Sequence, residues 1–339
     1  MENSINSKKI SFVIPCRNES KYIEKTVNSI LNQKLVQNDF EIIIVDALST
    51  DGTREKITKL KETDNRIILI DNNRKITPVA LNIGVKRATG DYIFILGGHS
   101  QIDSYYVHHC LKIFEDHKDV SCAGGPITSI GNSSLGKAIA LAMSSRIGVG
   151  NSMHRFPDYE GYAEMACFPV FKKEVFAKIG FFDESLIRNQ DDDFCFRLRL
   201  NGDKIYISSK AKSGYFVRDN LYKLFTQYSQ YGYWRIALLK KHKMQIAFRQ
   251  QIPFLFFLVV IISFLLSLMI SKLILGFILP ICYLTTITLY SVKISVLDKR
   301  YFGFWLLLVI PVLHFSYAYG FFKGILYFLI FNNKENIEY

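Results

Sequence analysis

Three consecutive carboxylates, Asp191, Asp192 and Asp193, stand in the run RNQDDDF. Neighbouring carboxylates repel one another, which raises the pKa of one of them and makes it a better base. The same acids in the first turn of a helix would instead complement its dipole. Asp46 closes the apolar run EIIIVD, a position where a carboxylate has no structural partner of its own. From the end of a strand it can accept hydrogen bonds from a nucleotide base or ribose. Asp51, in VDALSTDGT, suits the plainer role of helix cap better. Cysteine offers no comparable chemistry. The six, at 16, 110, 122, 167, 195 and 282, form no CxxC pair and no metal-ligand spacing, and they read as reduced, mostly buried thiols.

Carboxylates at strand ends require strands. KISFVI (9–14), EIIIVD (41–46), RIILID (66–71) and DYIFILG (91–97) are short apolar runs bounded by polar or turn residues, as buried parallel strands are. Helices with start signals lie between them. Thr50 or Asp51 can cap 52–62, with Glu55 placed for a capping box, and Thr77–Pro78 reads as N-cap and first turn. This alternation specifies an open α/β sheet with right-handed crossovers, whose ligands bind beyond the carboxyl ends of the strands. The informative stretches are therefore Pro15–Glu19, Asp46–Asp51, Asn72–Arg74 and Gly97–Asp103. Past Val120 the regularity fades, and 123–150 is Gly- and Ser-rich around a short apolar helix. Order returns over 181–207 as an acidic turn, a helix, Gly202 as its stop, and a strand.

The apolar content, 49% of 339 residues, is spread unevenly. Residues 252–339 carry 6 Lys/Arg and 3 Asp/Glu, whereas 1–251 carry 36 and 27 and read as a water-soluble domain. Three apolar segments, about 253–270, 273–292 and 302–331, approach or reach bilayer-spanning length. Three in succession argue against buried core helices. The last is too long for one perpendicular helix, and Gly320 and Lys323 mark its expected break, so three or four membrane helices are expected. The N-terminus lacks a charged-then-apolar signal pattern, so the soluble domain is expected to remain cytosolic. Lys240, Lys241, Lys243 and Arg249 before the first span, and Lys293, Lys299 and Arg300 after the second, agree with the positive-inside rule. No acidic residue occurs between Asp219 and Asp298, so this flank can meet anionic headgroups or a phosphorylated substrate. The net charge of +12 does not imply nucleic acid, because the excess lies near the membrane and no nucleic-acid motif accompanies it. The expected division is a soluble domain over 1–220, a basic amphipathic segment over 221–251, membrane helices over 252–332 and a polar tail over 333–339.

IPCRNES, VDALSTDGT, ALNIGVKRATGDYIFIL and RNQDDDFCFRLRLNG resemble, in type and spacing, the ordered blocks of inverting family 2 glycosyltransferases. The match covers roughly residues 8–210 and is most similar to membrane-attached enzymes of bacterial exopolysaccharide assembly, of the succinoglycan-synthesis type. The resemblance implies an α/β fold of GT-A type, a nucleotide-sugar-binding domain with a mostly parallel sheet, followed by C-terminal transmembrane helices in a bacterial inner membrane. It also implies transfer of one sugar from a nucleotide-diphosphate donor, a UDP-sugar, to a polyprenyl-linked acceptor.

Carried over by motif, Asp46 holds the donor base, with Pro15, Arg17, Glu19, Ser49 and Arg74 around the donor. Asp191 is the base that deprotonates the acceptor hydroxyl, and Gln190 replaces the family's Glu before it. A family block after the fourth strand presents acids to a cation, Mn2+ or Mg2+, that bridges the donor's phosphates. Here the block reads LGGHS, with Gly97 in the first acidic position and His99 in the last. The expectation is a cation weakly held without donor, with His99 and, further along, Asp103 as its ligands; Mn2+ tolerates imidazole better than Mg2+ does. Gln230, Trp234 and Arg235 resemble the QxxRW element of processive relatives, with the Arg–Trp order reversed. Trp can stack under a sugar and Arg can pair with pyrophosphate; an interfacial amphipathic helix explains the same residues. His154 and Arg155 are candidates for the acceptor cleft. His314, inside an apolar span, touches either a lipid phosphate or another helix. Two rival functions remain open. One is an inactive paralogue serving as membrane scaffold or nucleotide-sugar sensor, which Gly97 favours. The other is a processive polysaccharide synthase, for which three spans are few.

Overall fold

Runs of Ile, Val and Phe become strands because their branched or flat side chains pack well on a pleated surface covered from both sides. The computed structural model describes residues 8–34, 40–218, 220–243 and 248–331, so the expected tail at 333–339 lies outside the described residues. The elements follow in order as β1 (Ile10–Cys16), α1 (Ile23–Leu31), β2 (Phe40–Asp46), α2 (Thr53–Thr63), β3 (Ile67–Asp71), α3 (Thr77–Arg87) and β4 (Tyr92–Ile95). Then come β5 (Ser100–Ile102), α4 (Tyr106–Asp116), β6 (Val120–Gly125), β7 (Ile127–Ile130), α5 (Ser134–Met143) and α6 (Arg146–Val149). They are followed by β8 (Gly161–Tyr162), β9 (Cys167–Lys172), α7 (Glu174–Ile179), α8 (Gln190–Leu200), β10 (Lys204–Ile207) and β11 (Ser213–Phe216). The chain ends in α9 (Leu221–His242), α10 (Phe248–Met269), α11 (Ile278–Val292) and α12 (Leu306–Gly324).

The large sheet has the order β3-β2-β1-β4-β9-β6-β10-β8. The pairs β2–β3, β1–β2, β1–β4 and β6–β10 are parallel, while β9 runs antiparallel to both β4 and β6. The expected mostly parallel α/β sheet is present. Strand alternation divides the core between the two faces. Phe12, Ile14, Ile42 and Phe94 pack on one side with α1 and α4, and Val13, Ile43, Phe171 and Phe194 pack on the other with α3 and α8. Gly84 lets α3 sit directly on β1, since a Cβ there would fall 2.3 Å from Cγ1 of Val13.

Local start signals work through turns more than through caps. Asp51 accepts from Thr53 N, and Gly52 takes the left-handed conformation (φ 89°) that turns the chain into α2. No side-chain cap forms at α2 or α3, and Pro78 lies in the first turn of α3 as expected. Gly202 (φ 88°) stops α8.

The described chain packs as two units: Met1–Thr128 with Ser152–Phe216, and Ser129–Asn151 with Val217–Tyr339. Residues 129–151, read from sequence as part of the soluble domain, thus group with the C-terminal helices. Three helices in the second unit are long and apolar enough to cross a membrane: Gln250–Met269, Leu273–Leu297 and Tyr301–Ile330. The break expected at Gly320 and Lys323 is absent. The helix runs through both, because Gly320 and Gly324 serve close packing: a Cβ at Gly320 would lie 1.9 Å from the Ser229 carbonyl oxygen, and one at Gly324 2.7 Å from that of Tyr233. His314 touches protein. It lies 2.9 Å from the Tyr283 hydroxyl through Nδ1 and 2.9 Å from the Ile147 carbonyl oxygen through Nε2.

Candidate active site

Parallel register sets three side chains abreast at the carboxyl ends of β1, β2 and β3: Cys16 opposite Asp46, and Asp46 opposite Asp71. Asp46 is fully buried. It accepts from the Ser49 hydroxyl at 2.5 Å, from Ser49 N at 3.2 Å and from the Cys16 thiol at 3.7 Å. Burial, and then the neighbouring Asp46 and Glu19, push the Cys16 thiol well up, so it is a neutral donor here and no nucleophile. Arg54, from the first turn of α2, reaches Asp46 at 3.4 Å and Asp71 at 2.5 Å.

The turns after β1 and β2 are laced together. Asn18 N donates to Ser49 Oγ, Thr50 N to Asn18 Oδ1, Glu19 N to Thr53 Oγ1 and Ser20 N to Asp51 Oδ2. Pro15 lies within β1 and Arg17 is exposed beside this lacing. Of the expected donor residues, Pro15, Arg17, Glu19, Asp46 and Ser49 are therefore brought to one edge. Arg74 is an exposed neighbour whose guanidinium pairs with Glu184.

The segment after β4 folds back on the same edge. Gly98 packs against β1, where a Cβ would meet Cys16 Cβ at 3.1 Å and Glu19 Cγ at 3.2 Å. His99 Nδ1 lies 2.8 Å from Glu19 Oε1, close but not aligned for a hydrogen bond, and its ring meets Tyr215 edge-on at 4.9 Å. A carboxylate behind an imidazole is an arrangement that orients metal-ligating histidines. Asp103 lies beyond the far end of β5, roughly 13 Å of extended chain from His99. Its Oδ1 accepts from Tyr105 N ahead of α4. No group of three or more His, Cys, Asp or Glu that could hold a metal occurs among the described residues. The residues present fit a cation as one imidazole ligand backed by Glu19, with the remaining oxygens left to another molecule.

The acidic triplet separates by burial. Asn189 takes a left-handed turn (φ 59°) and starts α8. Asp193, one turn in, is fully buried and pairs with Arg197 at 2.8 Å. Arg197 also donates to the carbonyl oxygens of Ile179 and Phe181. Asp191 is exposed, and its Oδ1 accepts from Asp192 N at 3.0 Å. Gln190 buries its amide oxygen without a hydrogen-bond partner among the described residues. The loop ahead of α8 is pinned by Asn82, which exchanges two hydrogen bonds with Phe182 and donates to Glu184. Beside the triplet, burial pushes the Cys167 thiol up to about 12, with Arg155 opposing the rise and Asp191 and Asp192 adding to it.

Gln230, Trp234 and Arg235 belong to the second unit, on α9. Trp234 is buried there, its ring 6.0 Å from that of Phe328, while Gln230 and Arg235 are half-buried. Sequence reasoning missed Arg54 and Glu184, which meet their partners across separate elements. The Asp193–Arg197 pair was legible, since its (i, i+4) spacing on a helix is a readable signal.

The family description "Glycosyl transferase family 2" matches residues 11–180. The chain belongs to that family. It is 32% identical over 245 residues to the succinoglycan biosynthesis protein ExoA of Rhizobium meliloti (strain 1021), covering 71% of this chain and 73% of the relative. A Methanococcus voltae relative is 26% identical over 324 residues, covering 94% and 97% of the two chains. It is named as a dolichyl N-acetyl-alpha-D-glucosaminyl phosphate 3-beta-D-2,3-diacetamido-2,3-dideoxy-beta-D-glucuronosyltransferase. Poly-beta-1,6-N-acetyl-D-glucosamine synthase of Staphylococcus aureus (strain COL) is 29% identical over 221 residues, 64% of this chain and 52% of that one. Among solved structures, the mannosyltransferase PcManGT of Pyrobaculum calidifontis, in complex with GDP-Man and Mn2+, superposes with a TM-score of 0.57. That likeness has 15% identity and covers 97% of this chain and 88% of the other. The S. aureus TarS fragment 1–349 with UDP-GlcNAc gives 0.52 at 16% identity, covering 97% and 93%. These likenesses establish the GT-A fold of the family 2 domain.

Proposed function

We propose that this family 2 enzyme is an inverting glycosyltransferase that moves one sugar from a UDP-sugar to a polyprenyl-linked acceptor. It would work at the cytosolic face of a bacterial inner membrane, in cell-surface or exopolysaccharide biosynthesis. The observation that carries the reading is the split within the acidic triplet: Asp193 is neutralised by Arg197, and Asp191 is left exposed on a pinned helix start. A general base needs this combination of fixed position and access. Asp191 takes the proton of the acceptor hydroxyl as its oxygen attacks the anomeric carbon. The bond from that carbon to the diphosphate oxygen breaks on the opposite face, so the configuration inverts. Asp46, Ser49 and the laced turns hold the nucleotide, and Arg155 lines the acceptor cleft. A divalent cation, Mn2+ or Mg2+, would supply charge neutralisation at the leaving diphosphate, with His99 as its protein ligand. The names of the exopolysaccharide and dolichyl-phosphate relatives support the lipid-linked acceptor.

The test is transfer by full-length protein in nanodiscs, offered a panel of UDP-sugars and polyprenyl phosphate-linked acceptors. Asp191→Asn is expected to lower turnover by roughly 10²–10⁴-fold while nucleotide binding persists. Binding of nucleotide with no turnover across the panel would favour the second reading, a nucleotide-sugar sensor, which the missing acid at Gly97 supports.

A further inference from the structure

The three long apolar helices are covered in different ways. α10 is exposed along one broad face, where Val259, Ile261, Ile262, Leu265 and Leu266 are all open, while Phe254 and Phe257 near its start meet Phe321 and Phe315. In α11 only Ile287 and Ser291 are buried. Such helices suit lipid over most of their surface. The helix from Tyr301 to Ile330 is one-sided instead. Leu306, Val309, Ile310, Leu313 and Phe321 are buried, while Phe304, Leu308, Phe322, Leu329 and Ile330 stand exposed along one apolar face, with Phe315 and Tyr319 partly open between them where they meet Phe225. Lys323 sits beside that face, exposed.

What covers the buried side decides where this helix can lie. Its second half runs parallel to α9. Phe225 meets Phe315 and Tyr319, the Gly232 backbone abuts Tyr317, and Tyr233 and Trp234 meet Phe328. α9 follows β11 after four residues and carries Lys223, Arg235, Lys240 and Lys241. It cannot accompany a neighbour through the hydrocarbon without taking those cations with it. The first half is clamped by α5, α6 and the His314–Ile147 contact. Residues 129–151 leave the sheet unit and return to it, so they stay on its side of the membrane. Both halves of the helix are thus held by chain that does not cross, and the two spans meet it as well, through Phe254–Phe321, Phe257–Phe315 and Tyr283–His314. At about 45 Å for 30 residues, the helix also exceeds a hydrocarbon core of about 30 Å.

We infer that the helix 301–330 does not cross the bilayer. It lies in the interfacial plane, with its apolar face against the lipid and Lys323 reaching toward headgroups. α10 and α11 then form a single two-span hairpin whose tip, at Ser271–Lys272, is the only described part of the chain on the far side. The topology does not depend on the sugar transferred and stands or falls apart from the enzymatic reading.

Two measurements on the full chain test it. Green fluorescent protein and alkaline phosphatase are each fused to the N-terminus and, separately, to the C-terminus. Fluorescence without phosphatase activity is expected at both ends, whereas phosphatase activity at the C-terminus alone would overturn the inference. Second, bromolipid quenching places Trp305 in the parent chain and a tryptophan introduced by Phe322→Trp in a Trp305→Phe background, with buried Trp234 as a common baseline. The in-plane helix predicts equal, shallow depths. A spanning helix would separate the two positions by up to about 25 Å, and such a difference would sink the proposal.

Discussion

Within one helical turn the acids of α8 meet opposite surroundings. Asp193 is closed off and bound by Arg197, whereas Asp191 faces outward with its neighbour's N–H on one oxygen. The motif placed the triplet but left its roles open, because repulsion among three carboxylates and a dipole-complementing turn are equally readable from DDD. Burial separates the roles, and burial is set by Phe194 inside the motif together with Phe182 and the 179–182 turn, whose packing the motif alone does not show. Asp193→Asn is accordingly a stability lesion. Leaving Arg197 without its buried counter-charge costs about 3–5 kcal/mol, visible as an earlier urea midpoint. Asp191→Asn, exposed, leaves the midpoint within experimental error. Gly97 is informative in the other direction. A Cβ there would have Phe168 at 3.8 Å and Ser100 Oγ at 4.0 Å as its nearest neighbours, so a side chain fits. Gly97→Asp should therefore fold normally and bind Mn2+ at least ten-fold more tightly than the parent in the absence of nucleotide, as read by electron paramagnetic resonance. Unchanged affinity would mean that the segment does not face a cation.

At the scale of elements, the four apolar runs before residue 100 were legible because each is short, branched and bounded by turns. The antiparallel strands that complete the sheet were not. β9 reads CFPVFK, with Pro169 inside it and Phe168 held at φ 46°, and proline within a run argues against a strand. Tertiary contacts override that signal: Tyr106 donates its hydroxyl proton to the Phe168 carbonyl and accepts from Gly125 N, fixing the distorted end of β9 beside β6. A comparable polar anchor lies at the other end of the sheet. Glu41 on β2 accepts from Ser11 Oγ at 2.6 Å, Thr89 Oγ1 at 2.6 Å and Thr89 N at 2.7 Å. Burial alone would raise its pKa, but these hydrogen bonds outweigh it and the net direction is downward from 4.5. A carboxyl depressed in the folded state stabilises above its unfolded pKa, and that contribution is lost as pH falls through the folded value. Glu41→Gln should thus cost about 1–3 kcal/mol near pH 7. The gap to the parent should narrow below about pH 4.5 in denaturant titrations. A gap constant from pH 7 to pH 3 would assign the cost to packing alone.

For the whole molecule, composition separated an apolar C-terminal third from a charged remainder, but the packed units do not follow that line. Residues 129–151 carry enough Gly, Ser and Ala to read as loop and short helix, yet they join the C-terminal helices. What binds them there, the His314–Ile147 contact, lies 167 positions apart and leaves no periodic trace. The same holds for Gly320, which reads as a helix break in isolation and acts as a contact surface once α9 is present. Small residues let helix backbones approach closely where apolar side chains give no preference for protein over lipid. Gly320→Leu would drive a side chain into the Ser229 carbonyl and separate α9 from α12. The sheet unit has its own core on both faces and does not rely on that contact. The variant should therefore keep nucleotide affinity within two-fold while its helical unit becomes susceptible to proteolysis after Lys240 or Lys241, and transfer to a lipid-linked acceptor should fall at least ten-fold. Equal loss of nucleotide binding would show instead that the two units fold as one.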